Sequence, residues 1–171
     1  DKDKGLTDAE LAALRGTSDK FALNARFHDE VEHIKSRPDA GISQEVFDCV
    51  EDARVAAIGS YLMRGVQDNL TAELGQHCIE KGFDNVVRQE DSPLGEAVGF
   101  YIREQLIGDL PKPATDILNL WRDHIHSQVG NQVEALGDAM YDQEAFAKLA
   151  HKMIYDLGLS DQWGEENSDA D

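Results

Sequence analysis

Between Gln44 and about Lys81 runs one apolar stripe that governs what this chain can fold into. Phe47, Val50, Ile58, Leu62, Val66, Leu70 and Leu74 recur mostly at intervals of four. A helix turns about 100° per residue, so each step of four overshoots a full turn by about 40°. From Val50 to Leu74 the stripe therefore travels about 240° around the helix. A surface helix keeps its apolar residues on one side, whereas a winding stripe needs neighbours on several. The stretch reads as the central helix of a bundle, either one long helix or two nearly collinear ones. Ala53, Ala56, Ala57, Gly59 and Ser60 are small and let other helices come close. A helix of this length spans roughly 55 Å, while a compact chain of this size has a radius of gyration of about 15–16 Å. It must protrude, bend or stop early, and Gly75 and Gly82 are the expected places.

The remaining segments are helical as well. Thr7 and Glu10 have the spacing of a capping box ahead of Leu11 and Leu14, with a stop expected near Gly16. Thr17 or Ser18 then caps a second helix, with Asp19 in its first turn, and Phe21, Leu23, Phe27, Val31 and Ile34 carry it to about Lys35. Ser43 is a fair cap for the central helix. Phe83, Val86 and Val87 are candidates to anchor the polar stretch after Gly82. Ser92-Pro93 is a helix start, and Leu94 to Ile107 fits an amphipathic helix ending at Gly108. Pro111-Lys112-Pro113 reads as a connector, followed by a helix over 114–129 and a short, poorly defined one near Val133 and Met140. The last helix covers 142–157 and is closed by Gly158. No alternating strand pattern exceeds a few residues. The expected fold is an all-α multi-helix bundle, one domain over 1–160, with an acidic tail or linker start over 161–171 whose only large apolar residue is Trp163.

The chain holds 34 acidic residues against 16 Lys and Arg, a net charge of −18. Phosphate binding needs a concentrated basic surface, so nucleic acid is not an expected partner. No apolar run approaches a membrane span. The opening DKDKGLTDAE carries no secretion signal, so Cys49 and Cys78 read as reduced thiols of a cytoplasmic protein, a bridge between them being the other reading.

Motifs that would carry chemistry do not stand up to their geometry. His28 and His33 lie five apart, about 140° around a helix, so on one helix they cannot chelate together. His124 and His126 fail in the same way. There is no GxxxxGK[ST] and no GxSxG. Asp29, Glu30 and Glu32 read as a solvated helix face. No catalytic, cofactor-binding or metal-binding residue is assigned.

Four segments resemble one family. They are Leu14-Arg15-Gly16-Thr17-Ser18-Asp19 with Ala22-Leu23 and His28-Asp29; Ala53-Arg54-Val55 with Ala57-Ile58-Gly59, Met63-Arg64-Gly65-Val66 and Asn69-Leu70; Pro93-Leu94-Gly95-Glu96-Ala97-Val98 with Arg103-Glu104-Gln105-Leu106; and Leu120-Trp121-Arg122. The second is the most specific, because it fixes many positions at set spacing. From about Leu14 to Arg122 the chain resembles the N-terminal region of the CobT subunit of aerobic cobaltochelatase. The resemblance implies a subunit of an ATP-dependent ligase that forms cobalt–nitrogen bonds, inserting Co²⁺ into hydrogenobyrinic acid a,c-diamide during cobalamin synthesis. The implied partners are an AAA+ ATPase subunit of the CobS kind and a large ring-binding subunit, and cobalt and ATP are used by the complex. The family's DxSxS metal-adhesion sequence is absent from these 171 residues, so no metal ligand carries over.

Arg54, Arg64, Arg103, Glu104, Trp121 and Arg122 fall on matched positions. The resemblance implies a docking surface for a partner subunit; the competing reading is Arg–Glu pairs that tie helices together, with Trp121 in the core. A non-catalytic assembly domain is the favoured function. Direct binding of cobalt or the corrin ring, or a generic acidic helical adaptor, are the alternatives.

Overall fold

A computed structural model describes residues 5–160. The fold is all-α, with no strand among the described residues. The helices are α1 (Asp8–Phe27), α2 (Glu30–Ser36), α3 (Gly41–Leu62), α4 (Arg64–Glu80), α5 (Leu94–Ile107), α6 (Lys112–Asn119), α7 (Arg122–Val129), α8 (Val133–Asp138) and α9 (Gln143–Asp156). The acidic segment 161–171, with Trp163, lies outside the described residues.

The central helix is α3. Seven consecutive residues, Ala53 to Gly59, are buried, which is possible only for a helix covered on every side. It packs chiefly against α5, and also against α4, α9 and α1. The expected long helix breaks at Met63, not at Gly75. Met63 is extended (φ −147°, ψ 119°), a conformation open to any residue, so the break needs no glycine. Its N–H still reaches back to Gly59 O, and α4 starts anew at Arg64, its buried Val66 and Leu70 clustering with Leu23 of α1 while Leu74 and Cys78 join the main core. Gly75 sits inside α4, and Gly82 (φ 73°) follows its last turn as anticipated.

The first helix also departs from expectation. Thr7 and Glu10 form the capping box, but α1 runs unbroken through Gly16 to Phe27. A Cβ on Gly16 would lie 2.1 Å from the backbone oxygen of Asn69, so this glycine marks where α1 crosses α4. Asp19 is inside the helix and accepts from Asn69 Nδ2 at 2.8 Å; it is a tie between helices, not a dipole partner. The break falls at His28-Asp29, where Asp29 caps α2 through the N–H groups of Val31 and Glu32. Phe21 (80% exposed), Val31 (78%) and Ile34 lie on the surface, not in the core, and so does Val87.

Other boundaries shift by less. α3 starts two residues before Ser43, whose hydroxyl donates to Ala40 O. Pro93 takes the cap position in place of Ser92. Pro111 and Pro113 belong to the start of α6, and a turn at Leu120-Trp121 divides the expected helix over 114–129 into α6 and α7. The main core gathers Phe47, Val50, Ile58, Tyr101, Ile102, Ile117, Leu118, Phe146 and Met153 from α3, α5, α6 and α9, and a smaller cluster holds Leu23, Val55, Ala56, Val66 and Leu70 between α1, α3 and α4. Both cysteines are free; burial pushes the Cys78 thiol up to about 12, and Cys49 is shifted the same way.

Candidate functional site

Of the matched residues only Glu104 and Arg122 meet; the others each have their own surroundings. Arg54 is 1% exposed. One turn back on α3, Glu51 accepts from its Nε at 2.8 Å and from Nη2 at 2.7 Å. Nη2 also donates to Phe27 O at 2.7 Å, and Nη1 to Met140 O at 3.0 Å. These carbonyls end α1 and precede α9, so one guanidinium closes two chain breaks onto the central helix. Gln143 completes the junction, exchanging hydrogen bonds with the backbone of Asp29 at 2.8 and 2.9 Å. Arg54 presents no surface to a partner.

Glu104 and Arg122 pair with each other through both arms of the guanidinium, linking α5 to α7, and Arg122 Nε donates to Asn119. The hydrogen bonds that Arg122 donates to Glu104 raise the Arg122 pKa above its ordinary value. Trp121 is half-buried against the main core, and its indole N–H meets no acceptor among the described residues. Arg64 is exposed, and its side chain makes no hydrogen bond or ion pair with any described residue. It belongs to a run of exposed residues, Tyr61, Leu62, Met63, Arg64 and Gly65, at the break between α3 and α4. Beside it, Gly65 has open space around it, unlike Gly59, where a Cβ would sit 2.4 Å from Leu23.

Arg103 is 9% exposed and lines a cleft of about 160 Å³ between α1, α3, α4 and α5. Burial lowers its pKa, but a guanidinium starts so high that it stays cationic. Its Nε is shut off from solvent and has no hydrogen-bond partner among the described residues. Lys20, Asp52 and Glu73 line the same cleft. Asp52 is crowded by protein yet open at the mouth; burial raises its pKa, and Lys20 opposes the shift. Reading the sequence did not single out Lys20, Asp52 or Glu73. They stand on three different helices, so no local spacing could have linked them.

A second, more open cleft of about 400 Å³ lies where α1 meets α2, lined by Asn24, His28, Glu30, His33, Arg37, Asp48, Glu51 and Asp52. Here the helix argument against His28 and His33 fails on its premise. His28 is past the end of α1, and the two rings meet edge to face with centroids 4.9 Å apart. Each is nonetheless held by carboxylates: His28 by Glu51 and Glu30, His33 by Asp48, all at 2.9 Å. Burial of His28 works against its protonation, but the bonds to Glu51 and Glu30 prevail and raise its pKa. Burial likewise opposes the charge on Asp48, yet Arg37 and His33 hold its pKa below the ordinary value. Among the described residues, no group of three or more His, Cys, Asp and Glu side chains is arranged to hold a metal ion. No helix among them is long and apolar enough to cross a membrane.

A family model described as cobalamin biosynthesis protein CobT matches residues 2–171, well beyond the span of the four resembling segments. No solved structure matches the chain.

Proposed function

The chain belongs to the CobT family of cobalamin biosynthesis proteins, and from that premise we propose that it is a non-catalytic assembly domain of the ATP-dependent cobaltochelatase, docking onto the AAA+ ATPase subunit or the large ring-binding subunit. The observation that carries this reading is the exposed run Tyr61, Leu62, Met63 and Arg64 at the α3–α4 break. Aromatic residues, methionine and arginine are the types enriched where proteins meet, and Tyr and Arg are frequent anchors. An arginine with no internal partner has its fork free for a carboxylate of another subunit. Of the other matched arginines, Arg54 is held inside by Glu51 and two carbonyls, Arg122 is held by Glu104, and Arg103 is buried in a cleft. Direct binding of the corrin ring has less support: one cleft is about 160 Å³, below the usual range of even drug-sized pockets, and the other is lined by polar side chains.

The test is Arg64→Ala in a full-length family member, with capture of each partner subunit measured beside a melting curve. The melting temperature is expected to stay within a degree or so. Capture is expected to weaken by about 2–5 kcal/mol, the cost of truncating one side of a desolvated pair. Lost stability with capture intact would assign Arg64 to the fold instead.

A further inference from the structure

Lys20 of α1, Asp52 of α3, Glu73 of α4 and Arg103 of α5 face one cleft, and none makes a hydrogen bond or an ion pair with any described residue. This is not how long charged side chains behave when an opposite charge lies within reach. They close into contact, above all when one is nine-tenths buried, because a buried charge left unpaired is strongly unfavourable. These four do feel one another electrostatically: Lys20 acts on Asp52, and Asp52 and Glu73 act on Arg103. The backbone holds them apart. Where α1 crosses α4, the Glu73 Cβ packs against Gly16, and where α5 crosses α3, Gly99 packs against Cys49, so the helices carrying these charges are fixed by tight crossings. The fifth charged group in the lining, Glu96, is already engaged, with His77 at 3.5 Å. Between the charges the wall is apolar, formed by Leu23, Val55, Leu70, Leu74 and Phe100.

We propose that this cleft binds a small zwitterion with an aliphatic side chain, the chemistry of a free branched-chain α-amino acid. Its carboxylate meets the Arg103 fork, with Lys20 on the same ligand group or at the mouth, and its ammonium meets Asp52 and Glu73. Its side chain lies on the apolar wall. A simple anion would gain Arg103 but face two carboxylates. A simple cation would gain the carboxylates but face two fixed positive charges. Only a ligand bearing both charges completes all four groups, whose sum is zero. Size agrees with a small ligand: the cleft of about 160 Å³ is close to the cavity of about 150 Å³ that takes a benzene-sized body. This inference does not depend on the docking role, since the cleft and the Tyr61–Arg64 run involve different side chains.

The test is calorimetric titration of the 171-residue chain with L-leucine, with isocaproate (leucine without its ammonium) and with isoamylamine (leucine without its carboxylate). One saturable leucine site is expected below roughly 1 mM, with each analogue weaker by about tenfold or more, as the loss of a charge-assisted contact requires. Arg103→Met and Asp52→Asn are each expected to weaken leucine by a similar factor. Arg103→Met removes an unpaired buried charge and should keep the melting temperature. Should that variant fail to fold, Asp52→Asn, an isosteric change at the mouth, carries the same reading. No saturable heat with leucine, equal affinity for isocaproate, or undiminished leucine binding in a folded variant would overturn the proposal.

Discussion

Arg54 turns its whole guanidinium inward, onto Glu51 and the backbone carbonyls of Phe27 and Met140, whereas Arg122 meets Glu104 where both are part-exposed. The two should respond very differently to truncation. Arg54→Met leaves the buried Glu51 carboxylate with His28 alone and takes a donor from two carbonyls, and a loss of about 3–5 kcal/mol is expected. Arg122→Ala should cost no more than about 1 kcal/mol, because solvent screens its pair. Urea unfolding of the two variants side by side checks this, and similar losses would show that the buried network is not what joins α1 and α9 to α3. The sequence placed both residues on matched positions but could not rank them. The acceptors that bury Arg54 lie 27 and 86 positions away, beyond any local pattern. His28 and His33 meet for a different reason: α1 ends one residue before His28, so the two do not share one helix and its angular spacing does not apply.

At the scale of elements, the apolar stripe correctly announced a helix covered on all sides, and α3 is that helix. Its end falls at Met63 and not at a glycine, since Gly75 lies inside α4. Glycine serves two purposes in helices, to permit unusual backbone or to permit contact, and spacing alone does not separate them. Gly16 and Gly99 serve contact, at the α1–α4 and α3–α5 crossings. The actual break, at Met63, uses ordinary extended backbone and leaves no compositional trace. Gly16→Ala should therefore destabilise the protein by about 1–3 kcal/mol through overpacking, although alanine is the better helix former. Gly65→Ala, with open space around it, should be neutral or slightly stabilising. Thermal melts of the pair decide it; a neutral Gly16→Ala would mean that α1 does not cross α4 so closely.

Across the whole molecule, fold class and family were both legible, the first because capped apolar periodicities recur along the chain, the second because the matched positions are rigidly spaced. What was not legible is which apolar residues stay outside. Phe21, Val31 and Ile34 continue a helical period and so look like core, yet α1 and α2 lay them on the surface, and only the arrangement of neighbouring helices could say so. The exposed run at Tyr61–Arg64 has the same origin: Leu62 is in phase with the central stripe but falls at the break, where nothing covers it. That uncovered break in a CobT-family chain is the basis for reading it as an assembly domain. The most direct measurement is capture by the immobilised 171-residue chain of the purified AAA+ ATPase subunit and of the large ring-binding subunit, read alongside chelation by a full-length protein lacking this domain. The account predicts saturable retention of at least one subunit and loss of chelation on deletion. Retention of neither, with chelation intact after deletion, would contradict it.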